Sequence, residues 1–348
     1  MKNTITEIGR GVSSAKASLH GMPGGNDERS APTICIVMPA YNEQDNIRAA
    51  IEKINESFSS IDYNFEIIIV DDGSKDNTVD EIQRILQSYP VRLLKLSRNF
   101  GKEHAIIAGL DHADADAVIL MDADLQHPME LVPEFLEKWR QGYDIVYGYR
   151  EDRRDESWHK RLFTRIFYTL INSGAEIKIE PGALDFRLLD RRVVEALRSL
   201  RERVRFTKGL YAWVGYKSIG IAFMPNQRYA GESSFSRKNL FKLGWDGLTS
   251  FSYLPLKMMS SAGAIISFSA VCYAFYIFAR TLILGVDLPG WATLTVAISF
   301  LGGIQLLSLG VMGYYIRNIF IETKQRPNYI VEQEIVSALC LAKRKSAE

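Results

Sequence analysis

The sequence predicts an α/β protein: a mostly parallel sheet covered by helices on both faces, followed by two helices that cross a membrane. Three observations carry this expectation. Between residues 33 and 150, five short runs rich in apolar residues alternate with amphipathic segments, the pattern of buried parallel strands and their crossover helices. Each run ends in polar or charged residues, and in such sheets ligands bind outside the carboxyl ends of the strands. Residues 258–316 are almost without charge, although the mean hydropathy of the whole chain is near zero.

Residues 1–32 are rich in Gly, Ser and small polar residues and hold no apolar segment of the kind a secretion signal needs, so they read as a disordered extension. The first run, 33–38, ends in Pro39, Ala40, Tyr41, Asn42 and Glu43. Residues 43–58 then read as a helix with Ile47, Ile51 and Ile54 on one face. The second run, 65–70, ends in Asp71, Asp72, Gly73 and Ser74, and Asn77 or Thr78 caps the helix after it. The third, 91–96, ends in SRNFGK (97–102), and its helix carries Ile106, Ile107 and Leu110. The fourth, 117–120, ends in MDADLQHP (121–128), and the fifth, 144–147, in Gly148, Tyr149 and Arg150.

Beyond the fifth run, residues 157–179 read as an irregular helical region, with 181–189 (PGALDFRLL) as an interruption. A short helix at 190–200, a helix at 206–213 and a strand at 216–223 follow, so that 33–236 form one catalytic domain. Residues 237–257 mix Arg237, Lys238 and Lys242 with Phe241, Trp245, Phe251 and Tyr253, the composition of a helix lying in a membrane interface. Residues 258–284 and 288–316 are the two expected spans, and 317–348 a tail. The uncharged stretch 258–279 is about 33 Å long as a helix, against about 30 Å of hydrocarbon. Arg280 belongs at the far interface. Gly302, Gly303, Gly310 and Gly313 allow close helix approach, within the chain or between chains. Basic residues flank the outer ends of both spans and only Arg280 lies between them, which places the catalytic domain and both termini in the cytosol.

Charge is balanced, 42 Lys and Arg against 41 Asp and Glu, so no global field points to nucleic acid. Cys35, Cys272 and Cys340 are too scattered for a disulfide framework or a zinc cluster. The chemistry centres on residues 121–128. Asp122, Asp124 and Gln126 alternate along one turn and offer hard oxygen ligands suited to Mg²⁺ or Mn²⁺. Most of an octahedral shell stays open for water and a substrate diphosphate. Neither a Walker A motif nor a G-x-G-x-x-G after a strand is present. Phosphate charge must then be met by metal and by Arg or Lys, which favours a sugar-nucleotide transferase over an ATPase or a dehydrogenase.

VMPAYNE (37–43), VDDGSKDNT (70–78), SRNFGKEHAIIAGL (97–110), MDADLQHP, LDFRLLDRR (184–192) and RFTKGLYAWVGY (205–216) together resemble the family-2 glycosyltransferases with the GT-A fold. AGESSFS (230–236), FSYLPLKM (251–258) and RPNYIV (326–331) narrow the resemblance to polyprenyl-phosphate glycosyltransferases. The bactoprenol (undecaprenyl-phosphate) glucosyltransferases and dolichol-phosphate mannosyltransferases are of this kind. The resemblance implies inverting transfer of a hexose from a nucleotide sugar to a polyprenyl phosphate in the cell inner membrane. UDP-glucose is the first expectation for the donor and GDP-mannose the second. It also implies a homo-oligomer, a tetramer in related enzymes. A catalytically inactive membrane scaffold or lipid carrier is the alternative from another class.

By motif position, Pro39, Tyr41 and Glu43 resemble ribose and base contacts, and Asp71 and Asp72 the acidic pair that holds the nucleoside. Asp122 is similar to the aspartate facing nucleotide and sugar, with Asp124 and Gln126 at the metal. Arg150 and Arg228 resemble the arginines that meet phosphates, and Lys160 and Thr164 fall where the acceptor phosphate is held. Asp185 matches the aspartate often proposed as catalytic base. A phosphate monoester has its second pKa near 6 and needs little help losing a proton at pH 7, so Asp185 is expected to orient Arg187 or the acceptor instead. Lys102 and His104 read equally as site groups or helix-surface residues, and Arg187 as a substrate clamp or a partner of Asp185. His127 reads as a turn residue, and Tyr211 and Trp213 as packing.

Overall fold

A strand buried on both faces must send successive side chains into two different cores. β1 (Thr33–Ala40) does this: Ile34, Ile36 and Met38 enter one apolar cluster, and Cys35 and Val37 enter another. β2 (Asn64–Asp71) divides Ile67 and Ile69 from Ile68 and Val70 in the same way, and β4 (Ala117–Leu120) divides Ile119 from Val118 and Leu120. The computed structural model describes residues 32–61, 63–150, 183–203, 205–224, 254–284 and 290–345. The first cluster is closed by α1 (Ile47–Ser59), α2 (Thr78–Ile85) and α4 (Val132–Arg140). The second is closed by α3 (Lys102–His112), α5 (Arg191–Ser199) and α6 (Thr207–Trp213).

With β3 (Val91–Leu96), β5 (Ile145–Arg150), β6 (Ala183–Asp190), β7 (Ser218–Phe223) and β8 (Val331–Val336), the sheet has the order β7-β5-β6-β4-β1-β2-β3-β8. β3, β2, β1 and β4 are mutually parallel, β6 runs against β4 and β5, and β8 runs against β3. β7 is parallel to β5. The carboxyl ends of β1, β2, β3, β4 and β5 therefore share one edge, and the amino end of β6 joins them there.

The mostly parallel sheet matches the expectation, and the two antiparallel strands depart from it. Residues 181–189 read as an interruption because ALDFRLLD carries charges and no clean alternation, yet 183–190 are β6. Residues 331–336, assigned to a tail, are β8 on the sheet's edge. Their sequence, VEQEIV, is too polar to announce a strand, but an edge strand tolerates charge. Here Glu334 pairs with Arg92 at 2.5 Å and Glu332 with Lys95 at 3.0 Å on β3. The expected cap of α2 also differs: the Asp76 carboxylate accepts from the Thr78 amide at 3.0 Å, and Asn77 makes no side-chain cap.

α7 (Leu254–Leu284) and α8 (Trp291–Thr323) are the two apolar helices, and α8 continues past residue 316. By length and composition, Leu256–Ile277 and Val296–Thr323 can each cross a membrane. Phe268, Phe275, Leu282, Leu306 and Phe320 all face outward, as lipid-facing residues do. A Cβ added at Gly302, Gly303, Gly310 or Gly313 would meet nothing within 4 Å, so these glycines do not bring α7 and α8 together. The chain ends, among described residues, in α9 (Ala338–Lys345). The expected irregular helical region at 157–179 and residues 237–253 of the interfacial segment lie outside the described residues.

The loops at the carboxyl edge are knitted to one another. The Asn42 and Glu43 amides donate to Ser74 Oγ and Thr78 Oγ1, both at 2.9 Å, and the Lys75 amide donates to Asn42 Oδ1 at 2.8 Å. Gly73 sits at φ +69°, and a Cβ there would lie 2.6 Å from the carbonyl carbon of Arg98. A left-handed backbone and a backbone neighbour both exclude a side chain. Gly73→Ala is expected to cost on the order of 2 kcal/mol, read as a lowered midpoint in denaturant unfolding. An unchanged midpoint would contradict this packing.

Candidate active site

Register explains why two aspartates far apart in sequence meet. In the antiparallel β4–β6 pair, Leu120 stands opposite Arg187. Continuing that register two residues past β4 sets Asp122 opposite Asp185. Between them lies Lys102, in the first turn of α3. Its Nζ is 2.6 Å from Asp122 Oδ1 and 2.9 Å from Asp185 Oδ2. Burial disfavours the Lys102 ammonium, but Asp185 and Asp122 outweigh it and hold the lysine well above its ordinary range. Burial likewise acts to raise Asp185, but the charges of Lys102, Lys208 and Arg187 prevail and hold its carboxyl well below the usual carboxylate range. In this conformation Asp185 is a carboxylate held against the Lys102 ammonium.

Two further groups prop this bridge. Glu103, next to Lys102, accepts from the Thr207 amide at 3.1 Å and from the Thr207 hydroxyl. Burial and the nearby Asp185 push its carboxyl up to about 7. Arg187 is 3% exposed; its guanidinium lies 3.7 Å over the Tyr211 ring and donates to the Leu184 carbonyl at 2.6 Å. Its Nε and the Tyr211 hydroxyl are buried without a hydrogen-bond partner among the described residues. Of the two readings open for Arg187, neither is decided by these contacts, which are to Tyr211 and the Leu184 carbonyl.

The turn after β4 is held from within. Leu125 adopts φ 60°, a left-handed conformation that branched side chains rarely take. The Gln126 amide donates to Asp124 Oδ1 at 3.1 Å. His127 accepts the Asp122 amide on Nδ1 at 3.2 Å and stacks on Phe186 with centroids 4.8 Å apart. Burial lowers its pKa, in keeping with a neutral ring that accepts through Nδ1. The turn reading of His127 thus gains a specific purpose, the support of Asp122.

Asp124 and Gln126 supply hard oxygens on one turn, so they fit a divalent cation. Asp122 fits less simply, because one of its oxygens already faces an ammonium group. Among the described residues no group of three or more His, Cys, Asp or Glu could hold a metal alone. A substrate diphosphate would have to complete the shell.

Asp71 and Asp72 are buried, and burial raises both pKa values. Asp71 accepts from the Ser74 amide, and Asp72 from the Phe100 and Gly101 amides at 2.7 and 2.8 Å. In this conformation they hold the loops of the carboxyl edge together. Pro39, Tyr41 and Glu43 line the same edge, half-buried. Arg150 ends β5, while Lys160, Thr164 and Arg228 lie outside the described residues. His104 Nδ1 lies 3.0 Å from the Phe100 carbonyl, a local helix contact. Tyr211 packs in the core as expected, whereas Trp213 is 54% exposed and does not. The signal that could have singled out Lys102 is its place after Gly101, where α3 begins beside the acidic edge.

The site is thus an Asp-x-Asp turn at the carboxyl edge of a mixed, mostly parallel sheet. The sequence model of glycosyl transferase family 2 matches residues 35–198. An uncharacterized glycosyltransferase of Synechocystis, sll0501, is 46% identical over 299 residues, which are 86% of this chain and 94% of that protein. The bactoprenol glucosyl transferase of Shigella phage SfV is 40% identical over 302 residues, 86% of this chain and 98% of the phage protein. Among solved structures, glucosyl-3-phosphoglycerate synthase of Mycobacterium tuberculosis superposes with a TM-score of 0.41 and 18% identity, over 62% of this chain and 76% of that one. The chain belongs to glycosyl transferase family 2, and it is a glycosyltransferase.

Proposed function

We propose that the protein transfers glucose from UDP-glucose to a polyprenyl phosphate at the cytosolic face of the inner membrane, inverting the anomeric carbon. The observation that carries this reading is the likeness to bactoprenol glucosyl transferase over 98% of that protein's length. The two apolar helices support it, since a polyprenyl tail stays in the bilayer. Lys257 in the first turn of α7 and Arg317, Lys324 and Arg326 at the end of α8 favour a cytosolic catalytic domain.

In this reading the nucleoside lies along Pro39, Tyr41 and Glu43, in loops fixed by Asp71 and Asp72. Arg150 and Arg228 meet the diphosphate, and Lys160 and Thr164 the acceptor phosphate. Asp122, held by Lys102 and His127, faces the sugar. An acceptor phosphate oxygen attacks the anomeric carbon, the bond to the diphosphate breaks, and UDP leaves with the electron pair. Asp124 and Gln126 would hold Mg²⁺ or Mn²⁺, whose chemistry when bound would be Lewis-acid neutralisation of the leaving diphosphate. Everything else is positioning and fixed charge.

Asp185 serves here as the anchor of Lys102 and not as a base. Asp185→Asn is expected to lower kcat while leaving the shape of the pH–rate profile unchanged from about pH 6 to about pH 9. Recovery of activity simply on raising the pH would assign it proton abstraction. The test of the whole reading is a panel of radiolabelled UDP- and GDP-sugars with undecaprenyl phosphate in membranes, extracted into organic solvent. Label is expected in the organic phase from UDP-glucose. Label from GDP-mannose instead would establish the mannosyl alternative, and none from any donor would favour the inactive scaffold.

A further inference from the structure

α8 is about 50 Å long, some 20 Å more than the hydrocarbon it must cross. Its charged residues resume at Arg317, and its last turn reaches the catalytic domain. There Glu322 is gripped at both oxygens: the Arg203 amide donates to Oε1 at 2.7 Å and Arg203 Nη1 lies 3.3 Å from Oε2. The same guanidinium donates to the Glu322 carbonyl at 3.4 Å and the Arg326 carbonyl at 2.8 Å. It thereby places positive charge on the carbonyl end of the helix.

From that point the chain does not leave the domain. Asn328 Nδ2 donates to the Glu202 carbonyl at 3.4 Å, Tyr329 donates to Asp111 at 2.9 Å, and the Ser97 amide donates to the Ile330 carbonyl at 3.0 Å. β8 then pairs with β3, whose carboxyl end opens on the site. A membrane helix is thus sewn directly into the catalytic sheet.

We propose that the Arg203–Glu322 clamp, with β8 behind it, is a positioning device that fixes the height and tilt of the cleft over the bilayer, so that a lipid-embedded acceptor phosphate reaches Asp122 and Asp185. From Ile316 to Glu322 the helix rises ~9 Å, which holds the domain close to the headgroups. The clamp acts on geometry toward the membrane and touches neither donor nor reacting atoms. The inference rests on the lipid-acceptor reading given above.

The test uses full-length protein in proteoliposomes with UDP-glucose, comparing undecaprenyl phosphate in the bilayer with a water-soluble short-chain prenyl phosphate. Arg203→Glu and the milder Glu322→Gln are expected to raise KM for the bilayer acceptor on the order of tenfold, with UDP-glucose KM and soluble-acceptor turnover within about twofold of wild type. Equal losses on both acceptors, or no loss, would overturn the proposal. If Arg203→Glu does not fold, Glu322→Gln decides alone. Wild-type protein inactive on both acceptors would instead overturn the lipid-acceptor reading.

Discussion

Lys102→Met is expected to reduce kcat on the order of 100-fold while UDP-glucose binding weakens much less. Without the ammonium, Asp122 and Asp185 face each other across the β4–β6 gap with no charge between them. Like charges at that range cannot both stay ionised cheaply, so the pair is expected to take up a proton nearer neutrality. The acid limb of the pH–rate profile then moves to higher pH, a change that mere loss of packing would not produce. Stability follows the same electrostatics. Asp185 is held below its usual range, so its contribution is present above the ordinary carboxylate pKa and declines as the pH falls below it. Lys102 is held above its usual range, so its contribution declines only as the pH rises past the ordinary lysine pKa. The variant should therefore be less stable, by about 2 kcal/mol for a partly buried pair, an amount that grows as the pH rises through the raised pKa of its aspartate pair and levels off from there to about pH 10. Lys102→Arg keeps the charge but not the compact ammonium, and is expected to fall between the two. Should Lys102→Met retain kcat within about threefold, Lys102 is a helix-surface residue and the bridge is incidental.

Asp124→Ala is expected to remove on the order of 10³ in kcat, the several kcal/mol that a positioned cation gives a leaving diphosphate. Excess chelator should do the same to wild-type protein, and added Mg²⁺ or Mn²⁺ should restore it. The variant should not be restored. Its folding should suffer far less, the hydrogen bond between Asp124 Oδ1 and the Gln126 amide accounting for about 1 kcal/mol of the loss. A large catalytic loss with a small stability loss separates a ligand role from a scaffold role. Full activity in chelator would remove the cation from this account.

The parallel half of the sheet was legible because its strands are continuous apolar runs. Ile67, Ile68, Ile69 and Val70 need no alternation when both faces are covered. The Asp-x-Asp turn was legible because it directly follows such a run. β6 was not, since its sequence is set by what surrounds it: Arg187 is buried on Tyr211, and Asp185 answers to Lys102. Those partners lie in α6 and α3, and only the fold brings them together. β8 was hidden for a related reason, its glutamates being matched to Arg92 and Lys95 on a strand more than 200 residues earlier. The motif marks Asp71 and Asp72 as acidic residues at a binding edge, and the structure adds that Asp72 accepts from the Phe100 and Gly101 amides.

The most direct check is an experimental structure of the protein with UDP-glucose and Mn²⁺. The diphosphate should lie against the turn carrying Asp124 and Gln126, with the glucose facing Asp122 and Asp185 across Lys102. A donor seated elsewhere on the domain, or a sugar directed away from that lysine, would contradict the account.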